Sequence, residues 1–323
     1  MNHAKTLRYL LAGGTVGFLL LLFSCKELPT REEAQLAEPP RMLPDAPAIL
    51  VLVKDGIEQA RLEVKGRFRL QAGDKEIPTR NASLGEVVVK AADGGFALGV
   101  QQFAADTITI TPETPGSVFV DGKAWPGWVR FVRSGAPLKF HVINAVNLEE
   151  YLCGVIAGET PWRSWPEEAL KAQAIASRTY ALHAHLTARR AGRPFDVTAD
   201  QMSQVFVAGI IDQPTISRAV NFTRGMVLTY QGMIFPAYFH AVCGGHTEDA
   251  SKVFGGGKTP PLSGVACPYC RQGGSRYDEW SVEIKAEDVT ARLRPAVHSK
   301  TGKQLGLVRL IEPVDTGVSK RVT

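Results

Sequence analysis

The stretch Ile143–Tyr180, INAVNLEEYLCGVIAGETPWRSWPEEALKAQAIASRTY, constrains this chain most, because it dictates two consecutive helices and places a carboxylate between them. Leu148, Tyr151, Leu152, Val155 and Ile156 recur at i, i+3, i+4, i+7 and i+8. They form one apolar stripe of a helix that Asn147 can cap, with Glu150 at N3. Glu159 follows eleven residues after Leu148, close to a whole number of turns, so it continues the stripe. Pro161 disfavours helical geometry at Thr160 and puts Glu159 at the helix C-terminus. Burial and the negative end of the helix dipole both disfavour the ionised form of a carboxylate, which is how a general acid is made. Ser164 and Glu167 then read as an S-x-x-E capping box, with Pro166 in the first turn of a second helix. Its body, from Ala169 to Leu186, is rich in alanine and permits close packing, so it is expected at the centre of the fold. Arg178 lies in that body, where a guanidinium needs an acceptor. On spacing alone, an exposed helix-end Glu159 and a structural ion pair for Arg178 stand beside the catalytic reading.

Upstream, from Ala48 to about Ile143, the pattern changes to short strands: AILVLV, ARLEV, RFRLQA, EVVVKA, DTITITP, SVFV, WVRFV and LKFHVI, separated by Gly, Asp and Pro turns. Downstream, MVLTY, MIFPAYFHAV and LVRLIEP read as further strands. The fold class is therefore α+β: a β-rich module at 48–140, acting as scaffold or groove wall, then a mixed α/β catalytic domain at 141–323. A chain of 323 residues suits one large or two modest domains. Its net charge of +5 is spread over 37 basic and 32 acidic residues without a dense basic tract, so nucleic acid is not an expected partner.

At the N-terminus, Lys5 and Arg8 precede an apolar run from Leu10 to Phe23, long enough for a signal-peptide core and short for a spanning helix. The run ends in Leu22-Phe23-Ser24-Cys25, which resembles a bacterial lipobox with Cys25 as the lipid acceptor. Residues 1–25 are expected to be a lipoprotein signal peptide, with an uncleaved membrane anchor as the alternative. Either way the mature domain is exported and attached to a membrane. Residues 26–47, rich in Glu, Pro and Ala, read as a disordered tether.

The block NLEEYLCGVIAGETPWRSWPEEALKAQAIASRTYAL resembles the core signature of the SpoIID/LytB family (stage II sporulation protein D-like), LEEYLxGVVxxEMP followed by WPxEALKAQAxAARTYAL. DVTADQMSQVFVAG, FHAVCGGHTEDA and VDTGVSKRVT extend the resemblance, which covers roughly residues 48–323. It implies a peptidoglycan-active protein of the cell envelope, with SpoIID-like members acting as lytic transglycosylases. The family's catalytic Glu falls on Glu159, and the Arg of its ARTYA block on Arg178. Thr160 stands where Met is usual. Met202-Ser203 stands before Gln204 where some members have a zinc-holding His-Cys, and a thioether and a hydroxyl are poor zinc ligands. The match closes at Thr323, whereas family domains run on for several more strands, so either the C-terminus is truncated or this member ends early.

Ordinary glycosidases need two carboxylates. A lytic transglycosylase, as the resemblance implies, uses the C6 hydroxyl of muramic acid as nucleophile, so a single Glu serves as acid and then as base. Arg178 would hold a substrate carboxylate or orient Glu159. Thr198, Gln204, Tyr238 and His240 are candidate glycan-binding groups, with structural hydrogen bonding as the equal alternative. The implied substrate is the glycan strand of peptidoglycan, stripped of peptide, and the implied partner is a cell-wall amidase. LytB-like amidase enhancers supply a second reading, a non-catalytic wall-binding protein.

With Cys25 placed, four of the five cysteines remain. Cys153 flanks the apolar stripe and reads as a small buried hydrophobe. Cys267-Pro-Tyr-Cys270 is a C-x-x-C knuckle, and His240, Cys243 and His246 lie at x-x spacings. Cys243, Cys267 and Cys270, with His246 or His240 as fourth ligand, suit a closed structural zinc site. A disulfide with one cysteine left over is the alternative. No H-E-x-x-H or similar motif points to catalytic zinc, and the expected chemistry requires no cofactor.

Overall fold

The computed structural model describes residues 6–7, 46–79, 83–210, 213–275, 277, 281–312 and 316–319. Cys25, the apolar run before it and nearly all of the tether lie outside the described residues. The described residues from Ala46 to Tyr238 belong to one compact unit and those from Phe239 onward to a second. The boundary expected at 140/141 falls in the strand Phe140–Asn147, which is paired on both sides within the first unit.

The first unit has an α+β fold with its strands towards the N-terminus. Its larger sheet runs, edge to edge, Val197–Thr198, Ala48–Ile57, Phe140–Asn147, Trp128–Arg133, Thr107–Pro112, Phe68–Ala72 and Lys75–Ile77. The first pair is parallel and the others antiparallel. A six-stranded antiparallel sheet runs Lys123–Trp125, Val118–Val120, Gln59–Val64, Leu84–Ala92, Gly95–Leu98 and Gln101–Phe103. Only Glu58 separates Ala48–Ile57 from Gln59–Val64, so the chain passes from one sheet to the other almost without a turn. Alternating Val, Ile and Phe from both sheets share one core, in which the Phe96 ring meets Phe140 edge-on at 5.6 Å.

All eight strands expected before residue 147 form. Lys75–Ile77, Gly95–Leu98, Gln101–Phe103 and Lys123–Trp125 add four that are too short to show a period. Downstream the strand reading needs correction. MVLTY and MIFPAYFHAV reduce to the two-residue strands Thr229–Tyr230 and Met233–Ile234, and residues 307–312 join no ladder among the described residues, Val308 N–H donating instead to the Thr290 hydroxyl at 2.8 Å. Pro236 cannot donate to a ladder, and an extended apolar run without a neighbour is not a strand.

The central strand Phe140–Asn147 runs straight into helix α1, Leu148–Glu159. Asn147 caps it, its Oδ1 accepting the Glu149 N–H at 3.0 Å. The five stripe residues are all fully buried, each burial worth about 1.5–3 kcal/mol. Helix α2 spans Glu167–Arg190, longer than the alanine-rich body. The expected capping box does not form: Pro166 is the N-cap and makes no side-chain bond. Ser164 is instead held in the preceding turn, its Oγ donating to Pro161 O at 3.0 Å. Helix α3, Pro214–Phe222, packs against both α1 and α2.

Buried Asp196 fastens the end of α2 to the sheet. It accepts the Leu50 N–H at 2.9 Å, Arg189 Nη2 at 2.8 Å and a bond with His185 Nδ1 at 2.9 Å. This anchor delivers Val197–Thr198 to the edge of the sheet and sends the chain on towards α1.

Candidate functional site

Glu159 is the last residue of α1, followed by the extended Thr160. It is half-buried, not fully buried as the stripe implied, because the sheet core ends one turn earlier and a different neighbour takes over. That neighbour is the segment Gln204–Val207. Val205 N–H donates to Glu159 Oε1 at 2.6 Å, and Val207 N–H donates to Gly154 O at 3.2 Å. The approach is possible because α1 presents glycine at 154 and 158. A Cβ on Gly154 would stand 2.4 Å from the Phe206 ring, and one on Gly158 2.4 Å from Val205 O. The two glycines, one turn apart, form a groove that accepts this backbone.

Around this contact lies a set of phenols and amides. Tyr151, fully buried in α1, donates its hydroxyl to Gln204 Oε1 at 3.1 Å. Burial pushes the Tyr151 phenol well above its ordinary range, and the charges of Tyr180 and Glu159 push it the same way. Tyr180, on α2, is raised by burial, hydrogen-bonds Ser203 and packs edge-on against Tyr238 at 6.0 Å. Tyr238 is 38% exposed and is raised by burial too. These tyrosines therefore stay protonated at neutral pH: they donate hydrogen bonds and do not serve as bases. Ser203 Oγ accepts the Thr198 N–H at 3.1 Å, and Thr198 Oγ1 donates to Asp200 at 2.8 Å.

Of the residues singled out from sequence, the structure thus gathers Glu159 and Gln204 directly, and links Thr198 and Tyr238 to them through Ser203 and Tyr180. Tyr151, Tyr180, Ser203 and Val205 were missed. Tyr151 lies in the apolar stripe, yet a core tyrosine must find a partner for its hydroxyl. Gly154-x-x-x-Gly158 signals a close backbone neighbour, although it does not say which one.

Arg178 belongs elsewhere. It is fully buried, with Nε on Glu149 Oε1 at 2.9 Å and Nη2 on Glu149 Oε2 at 2.7 Å. Its remaining donors go to carbonyls of Val220, Met226 and Ala174. The guanidinium therefore joins α1, α2 and α3, and it has no exposed surface on which to meet a substrate. The acceptor that this arginine needed is Glu149, and the ion-pair reading fits its surroundings. Cys153 is half-buried, donates to Glu149 O at 3.5 Å, and has its thiol pushed up to about 11, chiefly by burial.

His240, Cys243, His246, Cys267 and Cys270 all lie in the second unit. Cys243 and Cys270 come together, their sulfurs 3.8 Å apart. His246 Nδ1 is 2.6 Å from Thr247 O. Three thiols and an imidazole are chemically a zinc set, but among the described residues no group of three or more possible ligands converges. In the same unit Glu248 gathers the segment 316–319. Its carboxylate accepts Val318 N–H at 2.9 Å, Ser319 N–H at 3.3 Å and the Ser319 hydroxyl, and these bonds hold its carboxyl below the usual range.

Residues 138–230 match the family described as SpoIID, Stage II sporulation protein. An uncharacterized protein of Brachyspira hyodysenteriae is 30% identical over 247 residues, covering 76% of this chain and 65% of that one. The amidase enhancer of Bacillus subtilis is 34% identical over 152 residues, 46% of this chain and 20% of the relative. Stage II sporulation protein D of Bacillus amyloliquefaciens is 34% identical over 143 residues, 40% of this chain and 41% of the relative. The chain spans less than two thirds of the length of each of these relatives. The matched segment contains α1 with Glu159, α2 with Tyr180, and the stretch Gln204–Val207, so the part of the chain that builds this site is a SpoIID segment.

Proposed function

We propose that this protein acts on the bacterial cell wall as a lytic transglycosylase, cleaving the glycan between muramic acid and glucosamine on peptide-stripped strands, with Glu159 as its single acid and base. The observation that carries the reading is the Val205 amide bound to Glu159 Oε1 at the end of α1. One carboxylate oxygen is fixed by the backbone, and Oε2 is left for the substrate. Glu159 gives its proton to the glycosidic oxygen as the bond to the sugar's C1 breaks. The resulting carboxylate then takes the proton of the same sugar's C6 hydroxyl as that oxygen closes on C1, giving a 1,6-anhydro end and a regenerated acid. No water is consumed and no second carboxylate is required, in contrast to hydrolytic glycosidases. Tyr238 supplies an exposed ring and a hydroxyl for the glycan, steadied by Tyr180.

With Arg178 buried, the cation suited to a muramic lactyl group is Arg163. It is exposed, four residues beyond Glu159, and stacked over Trp162 at 4.2 Å. Arg163→Ala is expected to raise KM several-fold with little change in kcat, as measured on peptide-free glycan strands. The same reading assigns the chain to the cell envelope, exported and lipid-anchored through Cys25, with a peptide-stripping amidase as the partner that prepares its substrate.

The deciding experiment is mass spectrometry of products released from peptide-free glycans by wild type and Glu159→Gln. Wild type alone should release 1,6-anhydro-muramic ends. The relative named amidase enhancer favours a second reading, a non-catalytic protein that stimulates a wall amidase. In that case neither protein releases glycan, and both stimulate the amidase equally.

A further inference from the structure

The described residues from Phe239 onward bury little apolar surface. Cys243 and Ala286 are their buried apolar side chains, whereas Phe254, Val265, Tyr269 and Leu310 are each more than 60% exposed. Where the described residues bury so little, a covalent or metal cross-link would supply constraint that their core does not.

The backbone around Cys243 is arranged for such a link. Two stretches, Cys243–Thr247 and Val265–Cys270, are fastened side by side: His246 pairs with Ala266 in an antiparallel bridge, and Cys267 N–H donates to Gly245 O at 2.9 Å. Thr247 N–H donates to Val265 O, and Val265 N–H to Thr247 Oγ1, both at 2.8 Å. The two stretches bring Cys243, 4% exposed, to half-buried Cys270 with 3.8 Å between sulfurs, whereas Cys267 approaches Cys243 through its backbone carbonyl. We propose that Cys243 and Cys270 are joined by a disulfide that closes this unit, formed by exchange with a disulfide oxidant, and that Cys267 stays a free thiol.

The half-buried Cys270 reacts first. Its thiolate attacks the oxidant's S–S bond, which breaks to release one thiol and leaves a mixed disulfide on Cys270. Cys243 then loses its proton and attacks Cys270 Sγ, expelling the second oxidant thiol. Two protein thiols have given up two hydrogens, and the two electrons have reduced the oxidant to two thiols. The linkage rests on neither the glycan chemistry nor Glu159.

The test uses the full chain, equilibrated with glutathione disulfide, then denatured, alkylated and digested for mass spectrometry with and without reduction. The expected result is a Cys243–Cys270 peptide pair that separates on reduction, with Cys153 and Cys267 alkylated beforehand. Because mapping is done on denatured protein, it does not depend on any variant folding. In thermal melts, a reductant should lower the midpoint of wild type and of Cys267→Ser, but not of Cys243→Ser. Alkylation of all these cysteines without reduction, or a cross-link through Cys267, would overturn the proposal. So would one zinc per chain after incubation with zinc and dialysis, with Cys267→Ser as damaging as Cys243→Ser.

Discussion

Glu149 and Arg178 are each tolerable in the interior only because of the other. A bidentate pair with both side chains withdrawn from water is expensive to desolvate and more expensive to break, since the surviving charge is stranded. Arg178→Ala should therefore destabilise the first unit by about 3–5 kcal/mol, read from urea denaturation. Glu149→Leu combined with Arg178→Met should regain most of that loss, and a double variant no more stable than the single one would disprove the account. The sequence announces that Arg178 needs an acceptor but not which one. Glu149 and Glu150 are adjacent and chemically alike, yet about 100° of helix rotation separates them. One turns into the helix interface, while the other stays half-buried with its carboxyl raised by desolvation.

Among the elements, α1 was the most legible, because a 3.6-residue period, an Asn cap and a following proline agree on one helix. What its last turn would meet was not legible. The partner of Glu159 is a backbone amide 46 residues away, and an amide carries no residue-type signature. The glycines at 154 and 158 are the trace that this contact leaves in the sequence. Gly158→Ala places a methyl against the Val205 carbonyl and must push Gln204–Val207 outward. The expected cost is about 1–3 kcal/mol of stability. On the transglycosylase reading proposed above, turnover of peptide-free glycan should fall by about tenfold or more, while glycan binding is largely kept, because displacing the acid would affect the transition state more than the bound state. Unchanged turnover in a folded Gly158→Ala protein would show that Val205 does not position Glu159. The strands downstream of α3 illustrate the opposite error. Their composition is strand-like, but composition cannot say whether a neighbouring edge is available.

At the scale of the molecule, the two units differ: a shared apolar core holds the first, whereas among the described residues of the second, polar clasps such as Glu248 add to what the proposed Cys243–Cys270 link would supply. The carboxyl of Glu248 is lowered in the folded protein, so its contribution is complete above the ordinary glutamate range and is lost as pH falls through the folded value. Hydrogen-exchange protection of Val318 and Ser319 should accordingly persist at neutral pH and disappear only on acidification below the ordinary glutamate range. Glu248→Gln should abolish that protection at all pH values, and protection surviving in the variant would mean that other groups hold the segment.

The sheet order also sets a timetable. Ala48–Ile57 is made early but pairs with Phe140–Asn147 and then with Val197–Thr198, so its ladder waits for distant chain to arrive. The amide that holds Glu159 comes later still, at Val205. A nascent chain that has not reached that point carries Glu159 without the amide that holds it. The contact at the tip of α1 is therefore the last of these three whose partners are both made, and it depends on chain synthesised well after the helix it completes.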